Sequence, residues 1–324
     1  MPANVESMFY VGDMPWHREG RKLIDPPTTS EAIIMAGLDW EVQKTQLFTN
    51  NNQLVKNYYG IMRMDSHEVL GVVGKGYTPL QNKVAFSFFD PLLDQKFLEY
   101  ETAGSLGEGE IIWVLAKIKN NHEFRVKGDD IVQKYLLLSN SHDGKSAVSV
   151  KFTPIRVVCQ NTLSLALSQG ETTRIKHVVS MHDKLNDVQM AIENIMNIYS
   201  TVEDKFKGMY EFKMDEEGAK KYFNKLFPLL DNKDIKSQAQ RAKHDQNTKI
   251  QEKLVSNFHE GLGVKEFSIS NTLWAAYNSV TEFIDHPEGY KLGDNKLLKR
   301  IWFGEGEVIK KRAYLKALEE MKSA

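Results

Sequence analysis

The chain has 324 residues, 41% hydrophobic and 26% charged, with a formal net charge of −1 and one cysteine. That length accommodates two packed units, and near-neutrality excludes a polybasic coat, so any phosphate affinity has to come from a local patch. A single cysteine excludes an internal disulfide, and no run of about 18 apolar residues offers a membrane-spanning helix.

The opening "MPANVESMFYVGDMPWHREG" lacks a charged-then-apolar leader pattern, which leads us to expect a cytoplasmic protein. "NYYGIMRM" (57–64), the turn "DSHE" and "VLGVVG" (69–74) predict a β-hairpin. "KVAFSFFDPLL" predicts a short helix ended near Pro91. "EIIWVLAKI" (110–118) reads as a strand, followed by "EFRV" and "KYLLLSN". "SHDGKS" is a hairpin turn, with Gly144 free to take positive φ. Beyond it, Val148, Val150 and Phe152 fall on one face and Lys145, Ala147, Ser149, Lys151 and Thr153 on the other, the period-2 mark of a half-buried strand.

Past residue 180 the period becomes helical. Leu185, Val188, Ile192 and Ile195 form one stripe, and "DEEGAKKYFNKLFPLL" (215–230) has acidic residues in its first turn. "QAQRAKHDQNTKIQEKLVSNFHEGLG" stops at Gly261 and Gly263. The expected fold class is α+β: antiparallel β-hairpins with short helices in an N-terminal core, 1–178, followed by a mostly helical C-terminal region, 179–324.

Candidate chemistry is sparse. "IRVVCQNTL" puts Cys159 at an apolar strand-to-helix junction, where a small buried thiol is structural. Histidine–aspartate neighbours such as His142-Asp143 lack metal-ligand spacing, and "GVVGKGYT" lacks the P-loop pattern. We therefore expect no catalytic set, no metal and no cofactor. The basic face of the central hairpin remains. Lys145, Lys151 and Arg156, extended by Arg174 and Lys176, could track a phosphate backbone, with Tyr77, Phe124 or Tyr135 stacking on bases. Residues 296–316 add a further basic surplus, read as a solvated helix face, with a second DNA contact as the alternative.

The strings "PWHREG", "GYTPLQNKVAF", "TAGSLGEGEIIWVLAKI", "LLLSNSHDGKSAVSVKFTPIRVVCQNTLSLAL" and "WFGEGEVIKKRAYLKALEEM" together resemble the phage/plasmid-like protein family, from Trp16 to about Met321. The resemblance implies a protein encoded by a bacteriophage or other mobile element, and it implies no catalytic mechanism. The hairpin-then-helix layout of the N-terminal part is also similar to single-strand annealing recombination proteins. The expected function is non-enzymatic binding and annealing of single-stranded DNA by a homo-oligomer. The alternative is a small-ligand-binding or host-interference protein, with Trp16, His17, His142 and Asn161 around a pocket.

Overall fold

The computed structural model describes residues 5–12, 19–119, 123–156, 161–162, 172–184, 195–286 and 297–323. Its wall is a nine-stranded sheet built from β1 (Val5–Val11), β2 (Arg21–Leu23), β6 (Leu98–Leu106), β7 (Ile111–Ile118), β8 (Glu123–Lys127), β9 (Asp130–Ser141), β10 (Val148–Arg156), β11 (Asn161–Thr162) and β12 (Thr172–Ile175). The strand order is β11-β10-β9-β7-β6-β1-β2, with β8 on β9 and β12 on β10. All pairs are antiparallel except β1 with β2. A separate meander, β3 (Val42–Phe48), β4 (Leu54–Arg63) and β5 (Val69–Gly74), contains the expected 57–74 hairpin.

The run IIWVLAKI is apolar on both sides because both faces of β7 are covered. Ile112, Val114 and Ala116 join Leu136, Leu138, Val148 and Val150 in the larger core, beneath the meander and three short helices. Ile111, Trp113 and Leu115 join Tyr135 and Leu137 in a second core on the opposite face. The short helices are α1 (Thr29–Met35), α2 (Asn82–Ser87) and α3 (Asp90–Asp94). Thr28 and Glu31 close a reciprocal capping box at the start of α1. Pro91 opens α3 instead of ending a helix, because the first turn needs no amide hydrogen from that position.

The C-terminal half supplies α4 (Ile195–Glu211), α5 (Glu216–Leu226), α6 (Gln238–Glu260), α7 (Leu273–Asp285), α8 (Leu297–Phe303) and α9 (Glu305–Lys322). The antiparallel sheet followed by this helical half makes the protein α+β, with the order of elements expected from periodicity. The helices bury Phe206, Tyr222, Trp274, Tyr277 and Tyr314 together. The same core takes in Phe124, Val126 and Val132 from the β8–β9 hairpin. Trp274 Nε1 donates to the fully buried Asp130 at 2.8 Å. The sheet therefore extends one of its hairpins into the helical half.

The helical half in turn reaches back across the sheet. Trp302 meets Trp113 edge-on at 5.7 Å, and Lys151 donates to the Trp302 carbonyl (3.0 Å) and to Glu307 (2.7 Å). Lys310, expected on a solvated helix face, is instead buried and bonded to Asp285 at 2.6 Å. Removing one member of such a pair strands a buried charge. Lys310→Ala is expected to cost about 3–5 kcal/mol in urea unfolding, whereas the joint Lys310→Met, Asp285→Leu replacement should recover most of the loss.

Candidate functional site at the 142–145 turn

Residues His142 to Lys145 join β9 to β10, and local bonding fixes their shape. Ser141 Oγ donates to Asp143, whose Oδ1 also accepts the Lys145 amide at 3.0 Å. Gly144 takes φ +73°, the left-handed conformation expected of the Asp-Gly pair. The turn then presses on β5 so closely that side chains are excluded. A Cβ at Gly71 would lie 2.5 Å from Asp143 Cα, and one at Gly144 would lie 2.6 Å from Val73 Cγ1. Gly71 thus serves backbone approach within a strand, not a turn.

Behind the turn lies a buried polar cluster. The His142 ring, wholly buried, donates from Nε2 to Asn82 Oδ1 at 2.8 Å, a tautomer inferred from Asn82 Nδ2, which donates to the Leu38 and Trp40 carbonyls. Asn140 Nδ2 donates to the Leu80 carbonyl at 3.1 Å. His177 stacks on Tyr77 with centroids 4.5 Å apart and donates from Nδ1 to the Thr78 carbonyl at 3.2 Å. Tyr77 donates its hydroxyl to the Ser141 carbonyl at 2.8 Å. His142 Nδ1, His177 Nε2 and Asn140 Oδ1 are left buried without hydrogen-bond partners. With the tautomers above, all three are acceptors, so the cluster is suited to a donor.

Electrostatics divide the cluster from its rim. Burial, reinforced by the neighbouring His177 and Arg63 and only partly offset by Asp143, pushes His142 down to about 3. Burial also lowers His177, against the Thr78 carbonyl, which favours its charged form. Asp143 goes the other way. Burial would raise its carboxyl, but hydrogen bonds from Ser141 and Lys145 and the Lys145 charge hold it below the usual range. Outside, Lys145 Nζ (3.3 Å) and Lys299 Nζ (3.8 Å) face the same Asp143 oxygen. One buried carboxylate thus stands against two ammonium groups. Arg174 and Lys176 are exposed on the face opposite to Ile175, which is in the larger core, and Lys75 is exposed at the end of the meander that covers that core.

The expected phosphate-contacting residues separate into different environments. Lys145, Arg174 and Lys176 are solvent-facing, with the Lys145 side chain 77% exposed. Lys151 is on their face of the sheet, but its side chain is only 13% exposed beneath Glu307 and Phe303. Burial lowers its pKa, opposed by Glu307. The solvent-open hairpin face anticipated from alternation is therefore closed at Lys151. Arg156 and Asn161 pair through their backbones at the β10–β11 junction. Their side chains, with Trp16, His17 and Cys159, lie outside the described residues. None of the three rings expected to stack on bases is free to do so: Phe124 and Tyr135 are buried, and Tyr77 is covered by His177. Lys75 lies outside the expected contact set, and Lys299 belongs to the basic surplus of 296–316, where a second DNA contact was the alternative to a solvated face.

Among the described residues no group of three or more histidine, cysteine, aspartate or glutamate side chains could hold a metal ion. A groove of about 660 Å³ between α5 and α6, lined by residues including Asn224, Leu229, Gln251 and Val255, lies in the helical half, away from the turn. These features define an α+β protein whose polar centre is a turn clamped between two sheets. Residues 69–302, covering β5, the turn and most of the helical half, match the family described as a domain of unknown function, DUF932, and the chain belongs to that family. No curated protein and no solved structure matches it.

Two outcomes follow from this geometry. Below about pH 6.5 an unfolded chain protonates its histidines while the folded one keeps His142 neutral and disfavours the charged form of His177, so stability falls with falling pH. Urea unfolding at pH 5.5 should show a loss of about 1–2.5 kcal/mol relative to pH 7, shrinking in His142→Gln; equal stabilities would mean that both rings titrate in the fold as they do in the unfolded chain. Gly71→Ala should shift the turn away from β5 and cost about 1–3 kcal/mol, with the chemical shift of the His142 ring moving alongside.

Proposed function

We propose that this protein binds single-stranded nucleic acid without catalysing a reaction, as an annealing-type protein of a phage or plasmid acting in the cytoplasm as a homo-oligomer. The observation that supports it best is that Lys145 and Lys299, from separate segments, face one buried carboxylate, Asp143, while Arg174 and Lys176 are exposed on the same face of the sheet. In a chain of net charge −1, backbone contact requires a local group of cations such as this one. The contact path differs from the one read along the hairpin. It runs over the turn end of the sheet, while Lys151 serves the packing of the helical half. The resemblance to the phage/plasmid-like family supports the mobile-element setting. Among the described residues no helix is long and apolar enough to cross a membrane.

A second reading rests on a different observation. The unpartnered acceptors of His142, His177 and Asn140 suit a small, donor-rich ligand behind the turn, since unmet buried acceptors cost about 1–3 kcal/mol each. Native mass spectrometry that finds a copurifying small molecule, lost in Asn140→Leu, would favour it.

Fluorescence anisotropy with a labelled single strand across a salt series tests the main reading. Lys145→Ala with Lys176→Ala should weaken binding equally for all sequences and lower the slope of log affinity against log salt by about 0.7 per lost contact. Lys151→Met should leave that slope unchanged. An unaltered slope in the double variant would remove the turn from the binding surface.

A further inference from the structure

The two faces of the meander differ in what covers them. Tyr59, Ile61 and Val73 point into the larger core, so alternation turns Tyr58, Gly60 and Val72 to the other side. Thr45 and Val72 flank Gly60 on the neighbouring strands. A Cβ at Gly60 would lie 3.1 Å from Thr45 Cγ2, 3.1 Å from Val69 Cγ1 and 3.3 Å from Leu47 Cδ2. Those side chains therefore lean over the glycine and fill the space it leaves, which makes the outer face level. Tyr58, Val69 and Val72, with Phe48 and Leu54 at the tip of the β3–β4 ribbon, are between 47% and 58% exposed.

Charge and area decide what fits this face. None of Thr45, Leu47, Tyr58, Val69 and Val72 is charged, in a chain of which 26% is charged. A polynucleotide or a strongly charged partner finds no counter-charge there. A second copy needs none, because a twofold axis sets the same neutral patch against itself and brings no like charges together. The exposed parts of the five large side chains come to roughly 400–500 Å², in the range of the largest apolar patch on a monomer. Interfaces are about 56–65% apolar, so that much apolar surface corresponds to roughly 700–800 Å² per partner, close to what a stable dimer buries. Level sheet faces of like twist also stack readily, about 10 Å apart.

We infer that the outer face of the meander is the surface through which two copies of this chain associate, sheet upon sheet. The inference rests on the homo-oligomer of the reading above and supplies its contact surface. The 142–145 turn lies against the other face of the meander, at Gly71 and Val73, so pairing leaves Lys145 in solvent on both copies. The dimer presents two cationic turns, one for each strand to be annealed.

Analytical ultracentrifugation of the full chain across a concentration series tests this. Wild type should sediment as a dimer. Val72→Glu and Tyr58→Glu set like charges against each other across the axis, and each should raise the dissociation constant at least about tenfold with the circular dichroism spectrum unchanged. Val308→Glu, at a site 65% exposed on α9, should leave the constant as in wild type. The salt slope for a short single strand should be the same in all four proteins. If wild type dimerises and both meander variants dimerise equally well, the face is wrong while the homo-oligomer stands. If all three variants dissociate alike, added charge is the cause and the inference is overturned. If wild type stays monomeric throughout, the inference fails together with the homo-oligomer, and the salt series still decides the nucleic-acid reading separately.

Discussion

Everything in this fold depends on one sheet being dry on both sides. A strand with a single buried face can spend its alternate positions on water-seeking residues. β7 and the second half of β9 have no such positions, and Trp113 and Leu115 are as deeply buried as Val114 and Ala116. Burying a large side chain contributes about 1.5–3 kcal/mol, so the two cores stabilise the same hairpins from opposite directions. The meander and short helices cover one face. Trp302 and Phe303 cover part of the other. The N-terminal sheet and the C-terminal helices complete one another.

The turn at 142–145 inherits its character from that arrangement. It leaves the sheet where the meander closes over it, so its first residues are wrapped in protein while its last emerge into solvent. The inward groups are kept neutral because a charged imidazole there would lose its hydration and meet Arg63 and the second histidine. The outward groups are lysines, whose long stems hold the ammonium in water. Asp143 stands between the two regimes, buried yet ionised because hydrogen bonds and cations compensate for its burial. A neutral interior and a cationic exterior are thus separated by a single residue.

Much of the sheet could be read directly. The 57–74 hairpin, β7, the Asp-Gly turn and the faces of β10 follow from alternation and turn chemistry, which act over a few residues. What escaped depends on distance along the chain. Alternation correctly puts Lys151 opposite Val150, but its cover comes from Glu307, 156 positions away, and no local pattern announces it. Phe124 and Tyr135 have the composition of stacking residues and the environment of core ones. Other signals were present and went unread. Thr28 and Glu31 spell a capping box, and an isolated glycine at 71 inside a strand pattern marks close backbone approach. Of the candidate site, Lys145, Arg174, Lys176 and the turn were legible, and Lys299 stood within a recognised basic run; its approach to Asp143 depends on residues 156 positions apart, which no local pattern announces.

The lid formed by Trp302 and Phe303 has a consequence for biogenesis. Trp113 leaves the ribosome about 190 residues before its aromatic cover, which at roughly 5–20 residues per second is an interval of about 10–40 seconds. Throughout that time the nascent sheet presents a greasy, half-finished surface to a crowded cell. The newborn polypeptide therefore keeps that face of the sheet uncovered until α8 has been made and folded back.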